Sequence, residues 1–201
     1  MIVYVEFNFM LELALGQEQS AAAEAILAGA EQGKLILAFA EFAVSEPFAT
    51  LTQRGKRQLE LSKRLGEELR QLQRSKPHQP AISTILTAPA ILSSVAQIEA
   101  DRLRGTVERL LASGTALHLD SAAFNGAVAY QLLYQLAPQD SIIYAVVVAD
   151  LRARPSGESK VFISRNWKDF RSPDILAELQ SHNCAYAESF DEGLALINAQ
   201  P

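Results

Sequence analysis

The amino-acid sequence predicts an α/β protein: three layers, α/β/α, around a mainly parallel sheet of four to five short strands, with a helical insertion. Three observations carry this. Short apolar runs with strand character recur at Ile2–Val5 (IVYV), 34–38 (KLILA), 115–119 (TALHL), 160–164 (KVFIS) and Cys184–Ala187 (CAYA). Helical stretches separate them, which is the pattern of a parallel sheet covered on both faces. The 201 residues are 49% hydrophobic and 20% charged, enough for one sizeable core and too few for two.

The elements follow in order. After the first run, Asn8 is placed to cap a helix reaching about Gly16, and an alanine-rich helix spans 19–31 before Gly33 ends it. Helical spacing returns over 41–53, Gly55 punctuates, and a long helix runs over 56–75. Leu61, Leu65, Leu69 and Leu72 form one stripe of that helix. Residues 77–80 (PHQP) read as a loop, and 83–113 as helix with a break at Pro89. Asp120 or Ser121 caps a helix to about Leu136, and Pro138 opens another to about Arg152. Helices over 174–181 and 190–198 close the chain. The whole reads as one domain, 1–201, with 54–114 as the insertion.

Composition narrows the function classes. One cysteine, Cys184, excludes an internal disulfide and a cysteine-based metal cage. His78, His118 and His182 lack zinc-ligand spacing. No glycine-rich phosphate loop is present. The apolar start carries Glu6 and Glu12 with no basic leader, and no later apolar run reaches about 18 residues, so neither a signal peptide nor a membrane span is expected. The expected setting is cytoplasmic.

The net charge of −5 argues against a uniformly basic nucleic-acid binder, but it is unevenly spread. Residues 1–53 hold seven acids and one base; residues 54–78 hold eight bases and three acids; the remainder is net −4. Lys56, Arg57, Lys63, Arg64, Arg70 and Arg74 are therefore candidates for holding a nucleic-acid backbone. The plainer reading is a solvated helix on which Glu60 and Glu67 pair with these bases.

In open parallel sheets, ligands bind beyond the carboxyl ends of the strands. Glu6 and Asn8 follow the first strand, Asn166 and Asp169 the fourth; Glu46 lies on the helix after the second strand, and Asp140 on the first turn of the helix before the fourth. An oxygen-only set of this kind suits Mg²⁺ or Mn²⁺, which activate water and orient phosphate in phosphodiester hydrolysis. Each member has a plainer reading: Asn8 as a cap, Glu46 as a first-turn surface acid, Asp140 as a partner of the helix dipole, Asn166 and Asp169 as turn residues. Glu6, among aromatic residues, has the weakest such alternative.

In order, these segments resemble the PIN domain, a family of metal-dependent nucleases. VYVEFNFMLELALG is similar to its strand-then-helix opening, in which an acid follows the strand and Asn or Ser comes two residues later. AFAEFAVSEPFATL looks like its second-acid helix, with Glu46 as the match. LAPQDSIIYAVVVADL places Asp140 at the third acid, and KVFISRNWKDF resembles the fourth strand and acidic turn, ending in Asp169–Phe170. The resemblance covers most of the chain outside 54–114. Two departures stand out: Glu6 where most members carry Asp, and Asn166 where the usual fourth-site Asp stands. A subgroup with a similar YVE opening and a long helical insertion is the nearer likeness.

The resemblance implies an endoribonuclease with Glu6, Glu46, Asp140 and Asp169 on one or two Mg²⁺ or Mn²⁺ ions, and Asn8 and Asn166 orienting ligands or water. It also implies an RNA substrate, a toxin-like role and a cognate inhibitor protein. The alternatives are a catalytically degenerate RNA-binding or protein-interaction module and a DNA-cutting, flap-type nuclease. The alanine-rich helices serve equally as internal core or as a homodimer face, and no membrane partner is expected.

Overall fold

The computed structural model describes residues 1–199. It begins with β1 (Ile2–Val5), α1 (Phe7–Leu15), α2 (Ser20–Glu31) and β2 (Ile36–Ala40). A 3-10 turn, Glu41–Val44, leads into α3 (Ser45–Leu72); a second, Lys76–His78, leads into α4 (Gln79–Ser83) and α5 (Ala88–Ser113). Then come β3 (Thr115–Leu117), α6 (Ser121–Tyr134), α7 (Pro138–Ala153) and β4 (Lys160–Ile163). The chain closes with α8 (Trp167–Phe170), α9 (Pro173–Ser181), β5 (Cys184–Ala187) and α10 (Phe190–Asn198).

All five strands are parallel, in the order β3-β2-β1-β4-β5. β1 is central, with Ile2 in register with Ile36 on one side and Lys160 on the other. Side chains alternate between faces along each strand. Ile2, Tyr4, Ala38, Ala40 and Phe162 pack under α6, α7 and α9. Val3, Val5, Leu37, Phe39, Val161 and Ile163 pack under α1, α2, α5 and α10. The result is the predicted three-layer α/β/α arrangement. From β1 the chain steps outward to β2 and β3, then crosses back to place β4 on the other flank of β1. The carboxyl ends of β1 and β4 therefore border the crevice where strand order reverses, the position at which such sheets bind ligands.

Several sequence-based boundaries move. β2 begins two residues later than 34–38, because Gly33 takes a left-handed turn (φ 68°) and the Lys34 amide still bonds to the Gly29 carbonyl. The cap of α1 is Glu6, not Asn8: the Glu6 carboxylate accepts from the Asn8 amide. Gly55 does not interrupt the helix, and α3 is continuous for 28 residues. A helical glycine costs about 1 kcal/mol against alanine; α5 packs alongside, and a Cβ on Gly55 would stand in ordinary contact with the Ala96 methyl at 3.7 Å. Ser62 adds to this seam by donating to the Pro89 carbonyl at 2.7 Å. Pro89 opens α5 rather than breaking a longer helix, and the segment read as a loop after Pro77 is largely helical.

The leucine stripe of α3 is only partly buried. Leu69 is covered, but Leu61 is 54% and Leu72 43% exposed, while Leu51 and Ser62 face the seam instead. The second half of the predicted insertion is not peripheral, because Leu103, Val107 and Leu110 of α5 belong to the core beside α1 and α2. One stretch within 76–113 does reach membrane-spanning length and hydropathy, with a mean of 1.6 over 18 residues and only 6% buried. This corrects the expectation of no such run: serine, threonine and proline interrupt its apolar residues, yet it carries few charges.

Candidate functional site

Glu6 leaves β1 directly into the crevice and is 1% exposed. Its Oε2 accepts from the Asn8 backbone amide at 3.1 Å and its Oε1 from Asn8 Nδ2 at 2.8 Å. Asn8 thus orients the first acid from the first turn of α1. From β4, the buried Ser164 hydroxyl lies 3.4 Å from Glu6 Oε1 and accepts the Asn166 amide at 3.0 Å. Asn166 Nδ2 in turn donates to Asp140 Oδ2 at 3.1 Å, tying the loop after β4 to the first turn of α7. Asp140 is 8% exposed. Glu46, in the first turn of α3, is half-buried, and its Oε2 is buried without a hydrogen-bond partner.

The electrostatics join these residues. Burial pushes the Glu6 carboxyl up to about 7 against the two hydrogen bonds from Asn8, and the Asp140 and Glu46 charges push the same way. Burial also raises Glu46, with Asp140 adding to it. Asp140 is raised by burial and by Asp169, while its bond from Asn166 opposes the shift. Asp169 sits half-exposed on α8 at the edge of this set. Glu6, Glu46 and Asp140 are therefore carboxylates that resist being ionised together.

Whether this set fits a hard cation has two sides. Among the described residues, no group of three or more His, Cys, Asp or Glu side chains stands ready to hold an ion. The donor chemistry nevertheless suits one. The set offers oxygen only, Glu46 presents an unpartnered oxygen, and the mutual repulsion is of the kind a cation offsets.

Two nearby residues escaped the sequence reading. Ser164 bridges Glu6 to Asn166, although the apolar run 160–164 places it inside the fourth strand, which ends one residue earlier at Ile163. Arg165 reaches back to the fully buried Glu12 and to Glu18, fixing the β4 loop against α1. No pattern in the sequence links Arg165 to residues 147 or more positions away.

The basic residues of α3 lie outside this crevice and are exposed. Among the described residues, Arg64 pairs with Glu60 at 2.5 Å and Arg54 with Glu99 at 3.2 Å, whereas Lys56, Arg57, Lys63 and Arg70, and Arg74 just beyond the helix, have no acidic partner. The expected neutralisation by Glu67 does not occur, so the helix keeps its excess positive charge. Comparison of this chain with family models, with curated proteins and with solved structures gives no match.

Proposed function

We propose that this protein is a PIN-like, metal-dependent endoribonuclease. The observation that carries the reading is the juxtaposition of Glu6, Glu46 and Asp140 at the reversal point of the sheet, each displaced towards its neutral form by burial and by its acidic neighbours. Carboxylates drawn together against their own repulsion are a functional signature rather than a stabilising one. Glu6, Glu46, Asp140 and Asp169 would hold Mg²⁺ or Mn²⁺. When bound, the ion supplies water activation and charge stabilisation for phosphodiester hydrolysis.

The chain's own residues do the rest. Asn8 and Ser164 fix the Glu6 carboxylate, Asn166 fixes Asp140, and the unpaired bases of α3 supply charge for the phosphate backbone. The toxin-like role and an inhibitor protein belong to the same proposal through the family resemblance. One observation favours the second reading, a degenerate module that binds without cutting: Asn166 stands in hydrogen-bond contact with Asp140 where a further acid would add charge.

Incubation of single-stranded RNA with the purified protein and Mn²⁺ separates the two. The nuclease reading requires cleavage by the wild type and its loss in Asp140→Asn. Absence of cleavage, together with no Mn²⁺ binding by calorimetry, would overturn it in favour of the degenerate module.

A further inference from the structure

The distal half of the arm formed by α3, α4 and α5 stands clear of the core. Among residues 52–98, only Ser62, Leu69 and Ile82 are buried. The two long helices run antiparallel, since Arg54 pairs with Glu99 while Ser62 donates to the Pro89 carbonyl. Leu72 and residues 73–87 therefore form the far tip, about 40 Å along the α3 axis from Glu46. That tip presents Leu72, Ile85 and Leu86, and Ile91 follows in the first turn of α5; these side chains are 39% to 55% exposed.

Charge at the tip has one sign. Between Glu68 and Glu99 the sequence holds no acid, but it holds Arg70, Arg74 and Lys76, none with an acidic partner among the described residues. From Gln79 to Ile98 no residue is charged, and this is the stretch of mean hydropathy 1.6 that is only 6% buried. Exposed apolar surface of this kind marks a docking site. The partner's chemistry follows from the combination. A single-stranded nucleic acid would neutralise the cations, yet no Phe, Tyr or Trp stands between Phe48 and Phe124 for its bases to stack on. A second copy meeting tip to tip would cover the apolar side chains but bring two sets of unpaired cations together. An anionic bilayer satisfies both features: headgroup phosphates meet the cations, and apolar side chains enter the boundary between headgroups and acyl chains.

We infer that the tip of the arm is a docking site for an anionic lipid surface, in which Leu72, Ile85, Leu86 and Ile91 enter the interface and Arg70, Arg74 and Lys76 meet headgroup phosphates. Lys56, Arg57 and Lys63, on the half of α3 nearer Glu46, take no part. The attachment is peripheral and departs from the composition-based expectation of no membrane partner. It does not rest on the nuclease reading, and it leaves the acidic crevice up to about 40 Å from the lipid and open to water.

The test is flotation of the full chain with vesicles of phosphatidylcholine, alone or with about 30% phosphatidylglycerol, in about 0.1 M salt. The anionic vesicles should bind it more than about tenfold more tightly than the neutral ones, and about 1 M salt should release it. Arg74→Gln and Lys76→Gln should each weaken binding about fivefold, whereas Lys34→Gln, which removes the same charge just before β2, should change it less than about twofold. The double variant Ile85→Ser, Leu86→Ser should weaken it about tenfold. Both side chains are exposed, so its urea midpoint should match the wild type. Equal binding to both vesicles, no binding, retention in high salt, or undiminished binding by the double variant would overturn the docking site. So would a dimer in sedimentation equilibrium, or a complex with single-stranded RNA, that the double variant abolishes, since either assigns the tip to that occupant. Vesicle binding without RNA cleavage would leave the docking site standing and remove the nuclease reading; cleavage without vesicle binding would do the reverse.

Discussion

Replacing Glu6 by Gln removes a charge from the most buried acid of the crevice while keeping its shape. The wild-type carboxyl sits at about 7 in the folded protein against 4.5 ordinarily, because burial and the Asp140 and Glu46 charges disfavour its ionised form. Between those values the folded protein holds a proton that the unfolded chain has released, so stability falls as pH rises through this window. Below about 4.5 the penalty is absent, and above about 7 it is complete, at about 3 kcal/mol. Glu46 and Asp140 are displaced in the same direction and add to the fall. Glutamine escapes this penalty but gives up one of the two acceptors that serve Asn8, a loss of about 1–2 kcal/mol. In chelator, Glu6→Gln should therefore be less stable than wild type near pH 5 and more stable, by roughly 1–2 kcal/mol, near pH 8. Urea unfolding at both pH values reads this crossover. Parallel wild-type and variant stabilities across the range would refute the reasoning.

Two further changes probe the same construction. Asn166→Asp removes the donor to Asp140 and adds a like charge, so the metal-free protein should lose about 1–3 kcal/mol while Mn²⁺ affinity by calorimetry rises on the order of tenfold. Away from the crevice, Glu178 accepts hydrogen bonds from the hydroxyls of Tyr130, Tyr134 and Tyr144 and pairs with Arg152 at 2.9 Å, joining α6, α7 and α9. Glu178→Ala strands those donors and should lower stability by about 3 kcal/mol in urea, with Glu178→Gln losing less.

Much of the architecture is legible in the sequence because it rests on local pattern. The buried strand Ile2–Val5 and the edge strand Cys184–Ala187 show their full extent in their apolar runs, and Asp120 caps α6 as its position predicts. The long helix is misread at Gly55, where local propensity predicts a stop but α3, packed along α5, runs on without a break. The site follows the same division. The strand-end rule finds Glu6, Asn8, Asp140 and Asn166, and the structure joins them in two hydrogen-bonded pairs. Ser164 and the Arg165–Glu12 pair depend on contacts between β4 and the first helix, distant in sequence, which no periodicity encodes.

A structure determined with Mn²⁺ bound tests the central claim most directly. The account predicts one ion at the β1–β4 crevice with oxygens of Glu6, Glu46 and Asp140 all at about 2.0–2.2 Å, Mg²⁺-like in its ligand set, and Glu46 Oε2 no longer unpartnered. An ion bound elsewhere, or Glu46 and Asp140 remaining apart with Asn166 still holding Asp140 at saturating Mn²⁺, would contradict it.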